Sequence, residues 1–303
     1  MAPMDEAAPE SLVDTILFVD VDGVLNVGIY DPFDAPILLK SSELSMAREI
    51  VAMDYRGFDS ATAYKICALA ATPADPESTA TFEALASHDQ LSKVLVGRLS
   101  ELIQEAGPKC HVVLSSSWRK KQHLKRRQRL ELDLSEALGR YFTFHDVTQL
   151  TPELHAGDRL QAIRSYLQDF AGANLCGAGE LKVIVVDDFF LSPLSYADPF
   201  RITGAPGVPG GELHTLEEVE DYLLQPLGEM GIEASAKVLH CYRKVVTTNG
   251  LVLQVGMGLS NGLLKDAKEF LSNPNSPEAM KKPPPYREPP IEKSFFQLLA
   301  TFA

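Results

Sequence analysis

Apolar positions along the chain follow two patterns, and together they predict an alternation of strands and helices. Short, mainly apolar runs stand at residues 16–19 (unbroken), 111–114 and 181–186, each followed by polar residues. Such runs read as buried strands of a parallel sheet. Residues 141–144, Tyr-Phe-Thr-Phe, form a further strand-like run. Between them lie stretches with apolar residues every three or four positions, the period of a helix packed on one face. Residues 89–106 carry Leu91, Val94, Leu95, Leu99, Leu102 and Ile103 on one stripe, and Gly107-Pro108 stops it. Further helices are predicted over 120–138, from 157 through 167, over 214–227 and over 262–271. Strands alternating with helices imply an α/β fold, a Rossmann-like parallel sheet sandwiched by helices, with right-handed crossovers.

Other segments break the alternation. Residues 27–40 are rich in turn formers, and 41–88 hold short helical patterns cut by Thr72-Pro-Ala-Asp-Pro76. That length exceeds a plain connection, so a small cap-like insertion or a peripheral helical decoration is expected after the first strand. Residues 201–211 are a Gly/Pro loop. Near the C-terminus, β-rich runs at 237–246 and 251–255 flank Thr247-Thr-Asn249-Gly250, a hairpin signal. A loose tail is expected over 1–11, an extended proline-rich stretch over 274–290, and an apolar end at 294–302 docking back on the body. The division expected is therefore a tail (1–11), a main domain (12–227) and a C-terminal extension (228–303).

Composition narrows the class. A chain of 303 residues is long enough for a substantial core. The net charge of −13 disfavours wholesale nucleic-acid binding while leaving room for a local basic patch. Four scattered cysteines (Cys67, Cys110, Cys176, Cys241) lack a Cys-x-x-Cys spacing, so free thiols in a reducing compartment are expected and zinc is not. No secretory signal or membrane-length apolar segment is present, which makes a cytoplasmic protein the expectation, with a nuclear one as the alternative.

The candidate chemistry begins at Phe18-Val-Asp20-Val-Asp22-Gly-Val-Leu-Asn26. On an extended backbone Asp20 and Asp22 share a face, at a strand end where α/β sheets collect ligands. Two such acids repel each other, and a hard divalent ion such as Mg²⁺ resolves the conflict. Ser115-Ser116-Ser117 ends the strand 111–114 and leads into a helix, an arrangement suited to an anion. Asp187-Asp188 ends the strand 181–186 and supplies a second pair of acids.

The stretch 18–26 resembles the first motif of the haloacid dehalogenase superfamily in its phosphatase form. The resemblance implies that Asp20 attacks phosphorus and that Asp22 is the general acid/base, because dehalogenase relatives lack an acid at that place. It implies that a serine holds a phosphoryl oxygen; counting back from Trp118-Arg119 favours Ser116 over Ser115. Family spacing assigns the phosphate-neutralising base to Arg159, where many relatives carry Lys, with Arg119 as the competitor. Mg²⁺ would take Asp20, the main-chain carbonyl of Asp22, and Asp187 or Asp188. The resemblance covers about 16–194 and is nearest to small-capped members, some of them linked to nucleic-acid end repair. The expected function is Mg²⁺-dependent phosphomonoester hydrolysis through an aspartyl-phosphate. Alternatives are a polynucleotide end phosphatase or phosphotransferase, and a non-catalytic phosphate-binding module.

Residues 119–129 carry seven basic residues in eleven. Such a run is most simply a solvated helix face. Beginning beside the serines, it could also steer a polyphosphorylated or nucleic-acid substrate, or serve nuclear import. A phosphorylated small molecule is the first expectation for substrate and no membrane partner is expected.

Overall fold

Five parallel strands form the centre of the computed structural model, which describes residues 12–274 apart from 31–35, 54–56, 76–78, 151–155, 178, 189–201 and 209–210. They are β1 (Thr15–Val19), β4 (Cys110–Leu114), β5 (Asp146–Val147), β6 (Leu181–Asp187) and β9 (Ala234–His240), in the order β5-β4-β1-β6-β9. The chain runs outward from β1 through β4 to β5, then returns to the other side of β1 with β6. The strand order thus reverses beside β1, and open α/β sheets bind ligands at such a point, beyond the carboxyl ends of the strands.

Alternating side chains of β1, β4 and β6 feed two cores. Leu17, Val19, Val112, Leu114, Ile184 and Val186 face one side, packed with α3 (Lys93–Ala106), α4 (Leu124–Leu138) and α7 (Asn261–Ser272). Ile16, Phe18, Val113, Val183 and Val185 face the other, beneath α5 (Ala156–Gly172) and α6 (Leu216–Glu229). The three-layer α/β architecture agrees with the sequence. α6 opens on a capping box in which Thr215 and Glu218 satisfy each other's main-chain N–H groups. Within α3 the predicted stripe is offset: Val94 is exposed and Val96 is buried instead.

A second, antiparallel sheet has the order β10-β11-β2-β3. β2 (Gly28–Tyr30) and β3 (Ile37–Leu38) come from the turn-rich segment after β1; β10 (Tyr242–Val246) and β11 (Val252–Gly256) come from the C-terminal hairpin. Gly250, with φ +82°, makes the predicted Asn-Gly turn. The remaining short strands, β7 (Ile202–Thr203) and β8 (Glu212–Leu213), pair with each other. The segment 41–88 is helical, with α1 (Ser41–Ala52) packed against α2 (Phe58–Ala70).

Two expectations need correction. Residues 141–144 form no strand: Phe142 and Phe144 are buried in the core, but the backbone ladder on β4 is made by Asp146 and Val147. The run 237–246 is not one strand, because the chain changes sheet at Cys241. There the Cys241 N–H donates to the Asp187 carbonyl (2.8 Å), and its carbonyl accepts from Met257 (2.8 Å). Residues 234–256 therefore contribute strands to both sheets. The expected tails at 1–11, 275–290 and 294–302 lie outside the described residues. All four cysteines are free. No helix among the described residues is long and apolar enough to cross a membrane.

Candidate active site

Asp20 stands one residue past β1, where its N–H donates to Val186 on β6 (2.9 Å). On the other flank the Ser115 N–H donates to Val19 (2.8 Å), so the ladders continue to the strand tips. Phe18, Val113 and Val185 face α5, and their successors Val19, Leu114 and Val186 face away. By the alternation of extended backbone, Asp20, Ser115 and Asp187 return to the α5 side.

From that side comes Arg159. Gly157 lets the start of α5 lie close to the loop after β7, since a Cβ there would sit 2.4 Å from the Gly204 carbonyl carbon. The Arg159 Nη1 donates to Asp20 Oδ2 and to Asp187 Oδ1, both at 2.7 Å, and lies 3.9 Å from Asp188 Oδ1. Burial works against its charge, yet Asp187, Asp20 and Asp188 together hold the guanidinium well above its ordinary value.

Asp20, Asp187 and Asp188 are buried, with one oxygen of each lying within 4.8 Å of the others. Burial and then the charges of Asp20 and Asp187 push the Asp188 carboxyl well above its usual range, against the pull of Arg159 and Tyr30. Three acids facing one guanidinium leave a deficit of positive charge. The donors are all hard oxygens, with no imidazole or thiolate among them, so the set fits a hard divalent cation.

Asp22 points elsewhere and is held at both oxygens. Trp118 Nε1 donates to Oδ2 (3.0 Å) and Asn26 Nδ2 donates to Oδ1 (3.2 Å). Asn26 Oδ1 also accepts from Gly23 N–H (2.8 Å), closing the turn after Asp22. Burial, then the Asp20 charge, raises the Asp22 carboxyl; the two hydrogen bonds oppose the shift. The turn needs Gly23, whose φ is +74° and whose Cβ would overlap Asp188.

The serines separate by role. Ser116 Oγ accepts from Trp118 N–H (3.3 Å) and caps the short helical turn Ser117–Arg119. Ser115 Oγ is buried and has no hydrogen-bond partner among the described residues. Arg119 is buried beneath the turn and donates to the carbonyls of Ser116 (2.7 Å) and Gln149 (3.3 Å).

All eight predicted residues therefore meet at the carboxyl ends of β1, β4 and β6. Three contributors were not predicted. Trp118 and Asn26 lie inside the quoted motifs but show their role only through the fold. The Tyr30 hydroxyl donates to Asp188 Oδ2 from strand β2, and no local pattern marks it.

A family model described as "HAD domain in Swiss Army Knife RNA repair proteins" matches residues 16–203, more than half of the chain. No curated protein and no solved structure matches it.

Proposed function

This chain belongs to the family of HAD domains found in Swiss Army Knife RNA repair proteins, and we propose that it is a Mg²⁺-dependent phosphohydrolase acting on a phosphate at an RNA end. The observation that carries the reading is the meeting of Asp20, Asp187 and Asp188 around Arg159 where the strand order reverses. The family's description and the basic stretch beginning at Arg119 favour an RNA end over the free small molecule first expected from the acidic composition.

Arg159 holds Asp20 Oδ2, which orients the carboxylate and leaves Oδ1 to attack phosphorus in line. A P–O bond to Asp20 forms as the bond to the leaving oxygen breaks, giving an aspartyl-phosphate. Asp22, fixed by Trp118 and Asn26, gives its proton to the leaving oxygen. It then takes a proton from the water that attacks the aspartyl-phosphate, releasing phosphate and restoring Asp20. The Ser115 hydroxyl and Arg159 bind the oxygens of the transferred group, so Ser115 takes the role first given to Ser116. A divalent ion held by Asp20, Asp187, Asp188 and the Asp22 carbonyl would supply positive charge against the oxygens in the transition state.

The test is phosphate release from p-nitrophenyl phosphate and from 3′- and 5′-phosphorylated RNA oligonucleotides, with and without Mg²⁺, in the parent and in Asp20→Asn. Magnesium-dependent release, lost in Asp20→Asn, is expected. Release that survives the substitution overturns the mechanism, and no release from any substrate makes the domain a phosphate-binding module.

A further inference from the structure

The basic run 119–129 falls into two parts. Further along α4, Arg127 pairs with Glu131 (3.1 Å) and Arg129 with Asp133 (2.9 Å), ordinary i,i+4 pairs on a solvated face. Ahead of them Lys120, Lys121, Lys125 and Arg126 make no ion pair with any described residue. Lys121, Lys125 and Arg126 are exposed and Lys120 is half-buried. A helix start favours acids, because its N–H groups carry partial positive charge. The first turn of α4 has none, and the side chain of its N-cap, His123, makes no capping hydrogen bond. Local electrostatics and the sequence thus oppose each other here, in a chain of net charge −13. Such conflicts gather at functional sites.

The patch adjoins the site. The Arg126 guanidinium lies 6.0 Å from the centre of the Trp118 ring, and that ring's N–H donates to Asp22. One indole therefore separates the nearest cation of the patch from the carboxyl assigned to proton transfer.

We propose that Lys120, Lys121, Lys125 and Arg126 form a docking surface for the backbone of a single-stranded RNA whose terminal phosphate lies at Asp20, an inference that rests on the phosphohydrolase reading above. The occupant follows from charge and shape. Four unneutralised cations on consecutive turns suit a string of phosphates, whereas one phosphate is already provided for by Arg159 and Ser115. Asp20 is only 3% exposed, so the end reaching it is a strand free of its complement. Backbone phosphates give affinity without sequence preference.

The full chain carrying Asp20→Asn, which binds without turnover, is titrated with a fluorescent 3′- or 5′-phosphorylated single-stranded RNA at several salt concentrations. Each phosphate contact contributes about 0.7 to the slope of log affinity against log salt on single strands. Replacing all four cations by Gln is expected to flatten the slope by roughly 2 to 3, and Lys125→Gln alone by about 0.7. Arg129→Gln is the control and is expected to leave the slope unchanged, its charge being met by Asp133. The docking surface is overturned if the fourfold variant keeps the original slope and affinity, if Arg129→Gln flattens the slope as much as Lys125→Gln, or if the Asp20→Asn chain binds no RNA. Magnesium-dependent release from p-nitrophenyl phosphate by the parent separates the two readings. Release without the slope change removes only the docking surface; the slope change with no release from any substrate removes the phosphohydrolase.

Discussion

Gly256 of β11 lies against Gly23 of the Asp-x-Asp-Gly turn so closely that a Cβ at 256 would stand 2.6 Å from the Gly23 Cα. The contact is reinforced by Gly258 N–H donating to Gly23 and Leu259 N–H donating to Val24, both at 2.9 Å. β11 lies beyond the 16–203 match, yet it forms the back of the turn that carries Asp22. The hairpin after Cys241 thus belongs structurally to the site.

That contact makes Gly256→Ala a test of the C-terminal contribution. The new methyl would also meet the Tyr30 ring at 3.0 Å and Asp188 Oδ2 at 3.3 Å. Overpacking of this kind costs about 1–3 kcal/mol, so thermal unfolding should fall by several degrees and phosphate release should fall with it. Gly97→Ala, where a Cβ meets nothing within 4 Å inside helix α3, should instead raise the melting temperature.

The two serines should respond in opposite ways. Ser115→Ala removes a buried hydroxyl without a partner among the described residues, so stability should hold or rise while turnover drops by roughly tenfold or more. Ser116→Ala removes the acceptor for the Trp118 N–H and should cost about 0.5–2 kcal/mol of stability. Calorimetry with steady-state kinetics on both variants reads the contrast. Equal loss of turnover at unchanged stability in both would return the phosphate role to either serine.

Divalent cations should stabilise the parent. At ten times the dissociation constant, mass action gives roughly 1.4 kcal/mol. Asp188→Asn should behave differently on two counts. Burial and the neighbouring acids raise the Asp188 carboxyl, so its charged form is disfavoured by folding; a neutral amide removes that cost and metal-free stability should increase. The gain on adding Mg²⁺ should shrink. Melting curves with EDTA and with Mg²⁺ test both signs.

A pH effect should arise away from the acid cluster, at the opposite end of β4. The His111 and His145 rings pack at a tilt with centroids 4.8 Å apart, and the Val112 N–H donates to His145 Nδ1 (3.0 Å), which requires a neutral ring. Burial, chiefly, lowers both imidazoles below the ordinary 6.5. Below about 6.5 the unfolded chain therefore takes up protons that the folded chain resists. Their contribution is complete above that pH and is lost as pH falls toward the folded-state values. Melting temperature should decline from pH 7 to pH 5, and less steeply in His145→Gln.

The strands β1, β4 and β6 were legible because their last residues before the site are buried on both faces, and such burial writes the apolar runs at 16–19, 112–114 and 183–186. Asp20, Asp22, Asp187 and Asp188 follow directly, as residues that end such runs. The run at 141–144 misled because Phe142 and Phe144 are core residues without ladder partners; apolar alternation reports burial, not hydrogen bonding. The run 237–246 misled because β propensity is the same in either sheet, and nothing local marks Cys241 as the crossing point.

The sequence by itself determined which residues would stand at strand ends, since that depends on where short apolar runs stop. It did not determine which serine faces Asp20, because a shift of one residue exchanges the two faces of a strand. The register of β4 on β1 decided that, leaving Ser115 on the α5 side of the sheet and Ser116 against Trp118. It also did not determine that Tyr30, Trp118 and Gly256 complete the site, since each acts on a partner distant along the chain. Only the closure of two sheets around the turn at Gly23 brings the Tyr30 hydroxyl to Asp188 and the backbone of Gly256 against the turn, and only the turn after β4 brings Trp118 to Asp22.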